Sequence, residues 1–140
     1  MYKIKRIFLD TNIVLDLLGK REPFFESIAK ITTMAEMGIF TLVVSALSYS
    51  TVNYVLGKTE QHDKVISNLR KFKTISTIGS LNNVIVEKAL NSDFVDFEDA
   101  LQYFCDLQSN CEVILARNCK DFKLSTIPVM TADAFFSQCK

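Results

Sequence analysis

Short apolar runs alternate with longer stretches of helical periodicity along the chain, and this alternation limits the possible folds more than any other feature. The apolar runs predict strands over residues 5–9, 40–44, 74–78, 112–115 and 127–130. The helical spacing of apolar residues predicts helices over residues 13–18, 24–37, 45–57, 60–73, 82–90 and 96–107. Strands that alternate with helices indicate an α/β fold, with a mostly parallel central sheet and helices on both faces. In such folds the ligand site lies beyond the carboxyl ends of the strands.

Local signals mark two of the helix boundaries. Gly38 follows the helix predicted over residues 24–37 and is typical of a residue that ends a helix. Ser45 is a predicted N-cap for the helix that ends near Gly57. The chain has four glycines in total and none of the glycine-rich loops that cradle phosphates, which argues against a bound nucleotide cofactor.

Length and composition predict one soluble domain over residues 1–140. Of these residues 49% are apolar and 23% are charged, which is enough material for a substantial core. No apolar run reaches the roughly 18 residues of a membrane span. The basic opening segment MYKIKR is followed by three apolar residues before Asp10, too few for a signal peptide. We therefore expect a cytoplasmic protein that does not contact membranes.

Cysteine and histidine spacing argues against a zinc site. The four cysteines lie in the last quarter of the chain without a Cys-x-x-Cys pair, and the only histidine, His62, is far from them in sequence. We expect reduced and mostly buried thiols.

Asp10 directly follows the first predicted strand, within the segment IFLDTNIVLDLL. Its carboxylate could cap the following helix, or it could serve the crevice that forms beyond the strand ends. Asp121 follows the strand EVIL by six residues, in the loop ARNCKDF, where Phe122 is expected to anchor it.

Three acidic residues open the helix FVDFEDALQYF. Asp96 is a predicted N-cap, and Glu98 is expected to face solvent near the positive end of the helix dipole. Asp99 lies at the edge of the buried face. It is compatible with the same dipole interaction or with a functional site.

Asp10, Asp99 and Asp121 also permit a joint interpretation. Carboxylates gathered from distant segments repel one another unless a cation lies between them. Oxygen ligands without an available histidine favour Mg²⁺ or Mn²⁺. Paired cations about 4 Å apart can activate water and stabilise the leaving oxygen in phosphodiester cleavage.

Four segments resemble the motifs of PIN domains, in the same order and with similar spacing. They are LDTN at 9–12, FEDALQ at 97–102, ARNCKDF at 116–122 and IPVMTADAFF at 127–136. The resemblance covers nearly the whole chain and implies a three-layer α/β/α sandwich. It also implies a metal-dependent endoribonuclease that is similar to the VapC-type toxins of toxin–antitoxin pairs.

The resemblance assigns roles residue by residue. It implies Asp10, Asp99 and Asp121 as Mg²⁺ or Mn²⁺ ligands, with Asn12 and Asn118 as supporting amides. Arg117 either neutralises phosphate charge or is an ordinary surface residue. The implied partners are an RNA substrate, a cognate antitoxin protein and a second copy of the chain in a homodimer.

The chain departs from the family pattern at one acidic position. The family usually carries a glutamate on the helix after strand two, whereas this segment reads SALSYSTVNYVLGK, and the expected place falls near Thr51, with Asn53 close by. A site with three acids, helped by Asp96 or Glu98, would bind a second cation weakly. The alternative function is therefore a catalytically weakened PIN-fold module that binds RNA or a partner protein. A phosphate-receiving signalling domain fits less well, because it would need an acidic pair after strand one.

The charge pattern leaves the RNA contact open. Zero net charge argues against a tight, stoichiometric nucleic-acid binder, but much less against an enzyme that touches its substrate locally. A basic cluster around the helix 60–73 could follow a phosphate backbone or be a solvated face: Lys58, Lys64, Arg70, Lys71 and Lys73. Tyr49 and Tyr54 could stack on bases or belong to the core.

Overall fold

Within residues 4–139, which the computed structural model describes, every predicted apolar run overlaps a strand. Met1, Tyr2 and Lys3 of the basic opening segment, and Lys140, lie outside the described residues. The strands are β1 (Arg6–Leu9), β2 (Thr41–Ser45), β3 (Thr77–Gly79), β4 (Val113–Leu115) and β5 (Val129–Met130). The helices are α1 (Thr11–Leu18), α2 (Phe25–Glu36), α3 (Ala46–Leu56), α4 (His62–Thr74), α5 (Asn83–Leu90), α6 (Phe97–Gln108) and α7 (Ala132–Gln138). A short 3-10 helix spans Cys119–Phe122.

The five strands form one parallel sheet in the order β3-β2-β1-β4-β5. Phe8 of β1 pairs with Val43 of β2 on one side and with Ile114 of β4 on the other. The chain moves outward from β1 to β3 and then returns to build β4 and β5 on the opposite side. The strand order therefore reverses between β1 and β4, which is where ligand crevices form in open parallel sheets.

Alternate residues of each central strand enter two separate cores. On β1, Ile7 and Leu9 belong to one core and Phe8 to the other. The first core receives side chains from α1 to α4 and α7, and the second from α5 and α6. Because successive side chains of a strand point to opposite faces, these runs are buried on both sides. The α/β prediction and the three-layer arrangement are confirmed.

Two predicted helix boundaries agree with the structure. The hydroxyl of Ser45 accepts a hydrogen bond from the Leu47 N–H at 3.0 Å and so caps α3. Helix α2 ends at Glu36, and Gly38 follows with φ of +83°, a backbone conformation that glycine adopts without steric penalty.

The strand predicted over residues 74–78 starts too early. Thr74 is the last residue of α4, and its hydroxyl donates to the Lys71 carbonyl at 2.6 Å. The Ile75 N–H donates to the Phe72 carbonyl at 3.1 Å. These hydrogen bonds complete the helix end and outweigh the strand preference of two β-branched residues. Strand β3 begins only at Thr77, where it pairs with Val43.

Two predictions about the class of protein can be compared with the structure. Cys105 and Cys111 are buried, as predicted, whereas Cys119 and Cys139 are only half-buried. No helix in the described part of the chain is long and apolar enough to cross a membrane.

Candidate active site

Asp10 lies at the point where the strand order reverses. Its backbone N–H donates to the Leu115 carbonyl at 3.0 Å, which extends the pairing of β1 with β4 by one residue. The side chain is only 8% exposed. Asp10 has the N-cap position of α1, yet its carboxylate makes no capping hydrogen bond. The carboxylate is therefore not used as a helix cap.

A buried polar network lies beneath Asp10. The amide nitrogen of Gln102 donates to the hydroxyls of Thr11 at 2.8 Å and Ser48 at 2.9 Å, and it lies 3.5 Å from Asp10 Oδ1. The two hydroxyls are 2.7 Å apart. The network connects α1, α3 and α6 at the carboxyl edge of the sheet. Because a carboxylate requires a donor, the charge of Asp10 favours this orientation of the Gln102 amide.

Sequence analysis missed the roles of Thr11, Ser48 and Gln102. The available signal was that each of these polar residues lies on a helix face that the structure buries. At such positions a polar group must find a partner, since its burial without one is costly.

Asp96 caps α6 as predicted, because its carboxylate accepts a hydrogen bond from the Asp99 N–H at 3.0 Å. Glu98 and Asp99 follow in the first turn. Asp99 is partly buried, whereas Glu98 is exposed. The first turn of α6 therefore brings several carboxylates to one place, and they line a crevice together with Asp121.

The loop after β4 holds Asp121 in position. The Asn118 amide nitrogen donates to Asp121 Oδ1 at 3.1 Å, while its oxygen accepts from the Lys120 N–H at 3.3 Å. Phe122, buried in the second core, anchors the same 3-10 helix. The structure therefore places Asn118 where it can orient the Asp121 carboxylate. Asn12, half-buried in the first turn of α1, makes no side-chain hydrogen bond within residues 4–139.

Acidic side chains from three segments contribute to the raised pKa values of Asp10 and Asp99. Burial raises the pKa of Asp10 to about 6; the Thr11 N–H opposes this effect, and the charges of Glu98 and Asp121 reinforce it. Burial likewise raises the pKa of Asp99 to about 7, with contributions from the charges of Asp96, Asp10 and Asp121. Electrostatic repulsion of this kind is relieved when a cation or protons enter the cluster.

The donor chemistry fits a hard divalent cation, although the side chains do not enclose one as they stand. Among residues 4–139, no group of three acidic, histidine or cysteine side chains lies close enough together to hold a metal ion. The Gln102 side-chain oxygen, next to Asp10, is buried and has no hydrogen-bond donor. This orphaned oxygen and the neighbouring carboxylates fit a hydrated cation, because its water could donate to the oxygen and its charge would offset the carboxylates. Binding would require the carboxylates to move inward.

Arg117 is committed to a contact inside the protein. Its guanidinium pairs with the carboxylate of Asp16, which is 1% exposed, and stacks over the Phe24 ring at 4.3 Å. This placement differs both from an ordinary surface arginine and from a group free to meet phosphate. Sequence analysis missed Asp16, although a lone acid within the apolar run IVLDLL was a signal.

Thr51 lies near the first turn of α6. Its hydroxyl is 3.5 Å from Glu98 Oε1. Asn53 is half-buried two residues further along α3. Tyr49 packs against Phe72 of the first core, which supports its structural interpretation.

The crevice contains lysines other than those that the sequence suggested. Lys120 and Lys123 line it with the acidic side chains, and none of the basic residues of α4 does so among the described residues. Lys58 instead lies over the exposed ring of Tyr54, with its ammonium 4.7 Å from the ring centroid.

A family model described as the PIN domain matches residues 6–120 of this chain. That match covers five of the six positions to which the resemblance assigned roles, and it ends one residue before the sixth, Asp121. No curated protein sequence matches the chain.

Solved structures with the same fold include bacterial VapC and VapBC proteins. VapBC-1 from nontypeable Haemophilus influenzae is 18% identical, with a TM-score of 0.69 over 91% of this chain and 98% of that chain. DNA-bound VapBC from Salmonella typhimurium is 14% identical, with a TM-score of 0.69 over 92% and 99% of the two chains. Mycobacterium tuberculosis VapC20, described as a toxin that cleaves the sarcin–ricin loop, is 13% identical, with a TM-score of 0.69 over 84% and 94%.

Proposed function

We propose a function for this chain from one premise: the chain belongs to the PIN domain family. The proposed activity is the metal-dependent hydrolysis of RNA phosphodiester bonds by an endoribonuclease. The observation that carries it is the set of aspartates from three separate segments, Asp10, Asp99 and Asp121, near the reversal point of the sheet. Burial raises the pKa of Asp10 and of Asp99, and the charge of Asp121 contributes to both shifts.

Asp10, Asp99 and Asp121 would hold Mg²⁺ or Mn²⁺, which both prefer oxygen ligands. When bound, such an ion lowers the pKa of water and stabilises charge on the leaving oxygen. The chain's own contribution is orientation. Asn118 donates to the Asp121 carboxylate, and Gln102 lies against the Asp10 carboxylate from below. Both amides act as supports of the kind that hold metal ligands in one rotamer.

Lys120 and Lys123 would meet the phosphate groups of the RNA near the carboxylates. An acidic centre repels a polyanion, so cations at its rim are needed to bring the backbone close. Neither lysine forms an ion pair with an acidic residue within the described part of the chain, and both remain available for phosphate.

We further propose that the protein is the toxin of a toxin–antitoxin pair. Two proteins of the same fold were solved as VapBC bound to DNA, and VapC20 is described as a toxin. An antitoxin would block the activity by placing a basic side chain among the carboxylates. A homodimer and a cytoplasmic location are the expectations that accompany this role.

A second candidate function is a PIN-fold module that binds RNA or a partner protein without efficient catalysis. Thr51 favours it, because this position carries no charge where the family usually has an acid. The open arrangement of the carboxylates in residues 4–139 favours it as well.

The two functions are separated by titrating Mn²⁺ and Mg²⁺ into the wild type and into Asp99→Asn, with cleavage of a mixed RNA pool followed in parallel. The nuclease proposal predicts metal-dependent cleavage that is lost in Asp99→Asn. Asp93→Asn is the matched control, since Asp93 lines the same crevice, is exposed and does not contribute to the raised pKa of Asp10 or Asp99. If millimolar metal does not bind the wild type, the nuclease proposal fails and the binding module remains.

A further inference from the structure

Side chains of α3 and α6 meet at the carboxyl edge of the sheet in two contacts, one helical turn apart. They are called here the lower step and the upper step. In the lower step, the Gln102 amide nitrogen donates to the Ser48 hydroxyl at 2.9 Å. In the upper step, Glu98 Oε1 lies 3.5 Å from the Thr51 hydroxyl. Glu98 precedes Gln102 by four residues and Thr51 follows Ser48 by three, so each step advances one turn along its helix. The upper step therefore extends an ordered contact and is not an isolated approach.

Glu98 thus brings a carboxylate to the place where α3 has none. A glutamate at position 51 would extend from the backbone of α3 into the space beyond the Thr51 hydroxyl. The Glu98 carboxylate already borders that space, and it arrives from α6 instead. The two side chains are 47 residues apart in sequence, and only the packing of the helices brings them together.

Glu98 shares the acidic crevice with two of the proposed metal ligands. Its side chain lines the crevice together with Asp99 and Asp121. No basic side chain pairs with it within residues 4–139.

A second feature beside Asp10, which does not depend on the contact with Thr51, fits a ligand that carries a hydrogen-bond donor. The Gln102 side-chain oxygen is fully buried, and no described residue donates a hydrogen bond to it. Gln102 lies one turn below Glu98 on the same face of α6. A hydrated cation between these groups would supply both the missing donor and the compensating charge.

We propose that Glu98 is the fourth carboxylate of the metal site, contributed by α6 in place of the acid that α3 lacks. This inference rests on the proposed function, because it assumes that Asp10, Asp99 and Asp121 hold a divalent cation. The alternative is that Glu98 is an exposed glutamate that only interacts with the N-terminal dipole of α6. That alternative requires neither the approach to Thr51 nor any role in metal binding.

The test is calorimetric titration of Mn²⁺ into the metal-free full-length chain, compared among single and double variants. Glu98→Gln should weaken Mn²⁺ binding by at least about tenfold, since changes even to groups that only support metal ligands have effects of this size. The matched control is Glu87→Gln, which changes an exposed glutamate of α5 outside the crevice and should bind like the wild type.

The exchange variant Thr51→Glu/Glu98→Gln moves the carboxylate from α6 to α3. It should recover most of the lost Mn²⁺ affinity if Glu98 serves the place of an α3 acid. A loss in Glu98→Gln without any recovery in the exchange variant would overturn that equivalence. Equal affinity of Glu98→Gln and Glu87→Gln would overturn the role of Glu98 itself. Thermal unfolding of each variant verifies that the fold is intact.

A parallel titration of Asp99→Asn distinguishes a failure of this inference from a failure of the proposed function. If the wild type binds Mn²⁺ and Asp99→Asn does not, while Glu98→Gln binds like the wild type, only this inference fails. If neither the wild type nor any variant binds Mn²⁺, the proposed function fails and this inference fails with it.

Discussion

Asp10 and Asp16 are buried carboxylates of the same region, and they differ in whether a basic side chain pairs with them. Asp16 lies on α1 against the Arg117 guanidinium, and Phe24 covers that guanidinium from one side. Asp10, six residues earlier, forms no ion pair with a basic residue of the described part of the chain. Burial raises its pKa to about 6, and the charges of Glu98 and Asp121 add to this shift. The charge of Asp16 is neutralised by Arg117, whereas no basic residue within residues 4–139 neutralises Asp10.

This contrast separates a structural acid from a candidate metal ligand. The Asp16–Arg117 ion pair links α1 to the loop after β4, which carries Asn118 and Asp121. A buried carboxylate without a basic partner lowers stability when it is ionised, and such carboxylates are candidates for functional sites. Asp106 is a third case: it is fully buried without a hydrogen-bond donor among the described residues, and burial raises its pKa to about 8.

The largest effect is expected from breaking the neutralised pair. Arg117→Ala should lower the free energy of unfolding by about 3 kcal/mol, because it leaves Asp16 buried without its partner. Urea denaturation at pH 7 measures this change. Asp16→Asn/Arg117→Gln is the control, and it should lose clearly less because no unpaired charge remains. A single variant as stable as the wild type would remove the structural half of the comparison.

Removal of the uncompensated charge should have the opposite effect on folding and a large effect on activity. Asp10→Asn should reduce RNA cleavage by about 10²-fold or more, since it removes a proposed metal ligand. The metal-free variant should be more stable than the wild type by about 1 kcal/mol at pH 7, because a buried charge is gone. Cleavage assays and urea denaturation provide the two measurements. Unchanged cleavage in a pure preparation would refute the proposed mechanism.

The stability of the metal-free protein should fall as the pH rises from about 4 to about 8. The pKa values of Asp10, Asp99 and Asp106 are raised to about 6, 7 and 8, so the folded state binds more protons than the unfolded state in this window. The stabilisation by bound protons is complete below the unfolded pKa near 3.8 and is lost as the pH passes each folded value.

Addition of Mn²⁺ separates the contribution of Asp10 and Asp99 to this pH dependence from that of Asp106. At pH 8 it should restore the part of the stability that Asp10 and Asp99 lose, because the cation replaces their protons. It should leave the part due to Asp106, and Asp106→Asn should remove that part in the absence of metal. Urea midpoints at pH 5 and pH 8, with and without Mn²⁺, test both statements. A metal-free protein more stable at pH 8 than at pH 5 would contradict the sign.

The smallest effect is expected from the two lysines at the rim of the crevice, Lys120 and Lys123. With the inactive Asp99→Asn background, Lys120→Gln/Lys123→Gln should weaken single-stranded RNA binding and reduce the slope of log K against log salt by about 1.4. The matched control changes Lys71 and Lys73 on α4, which line no part of the acidic crevice. A larger change in slope from the α4 pair would move the RNA path to that helix.

Much of the fold followed from local patterns. The apolar runs of the two central strands β1 and β2 were identifiable because both faces of those strands are buried, which produces continuous apolar segments. The boundary of β3 was misplaced because Thr74 and Ile75 favour strands by propensity, while their hydrogen bonds complete α4. Propensity describes a residue in isolation, and the adjoining turn of helix decides its conformation.

Several residues of the candidate site could likewise be proposed from local patterns. Asp10, Asp99 and Asp121 could be identified because each belongs to a short motif, and the cap role of Asp96 follows from its immediate neighbours. The Asp16–Arg117 pair could not be found in this way. Its partners are 101 residues apart, and no local pattern connects them.

The sequence by itself determined the alternation of strands and helices, the acids at the strand ends and the absence of an acid from α3. Only the tertiary structure decided which carboxylates remain uncompensated and that Glu98 meets Thr51. The physical reason is that charge compensation and side-chain contact depend on distances of a few ångströms between helices on opposite faces of the sheet. Such distances follow from how the two cores pack, and the order of residues along the chain does not specify them.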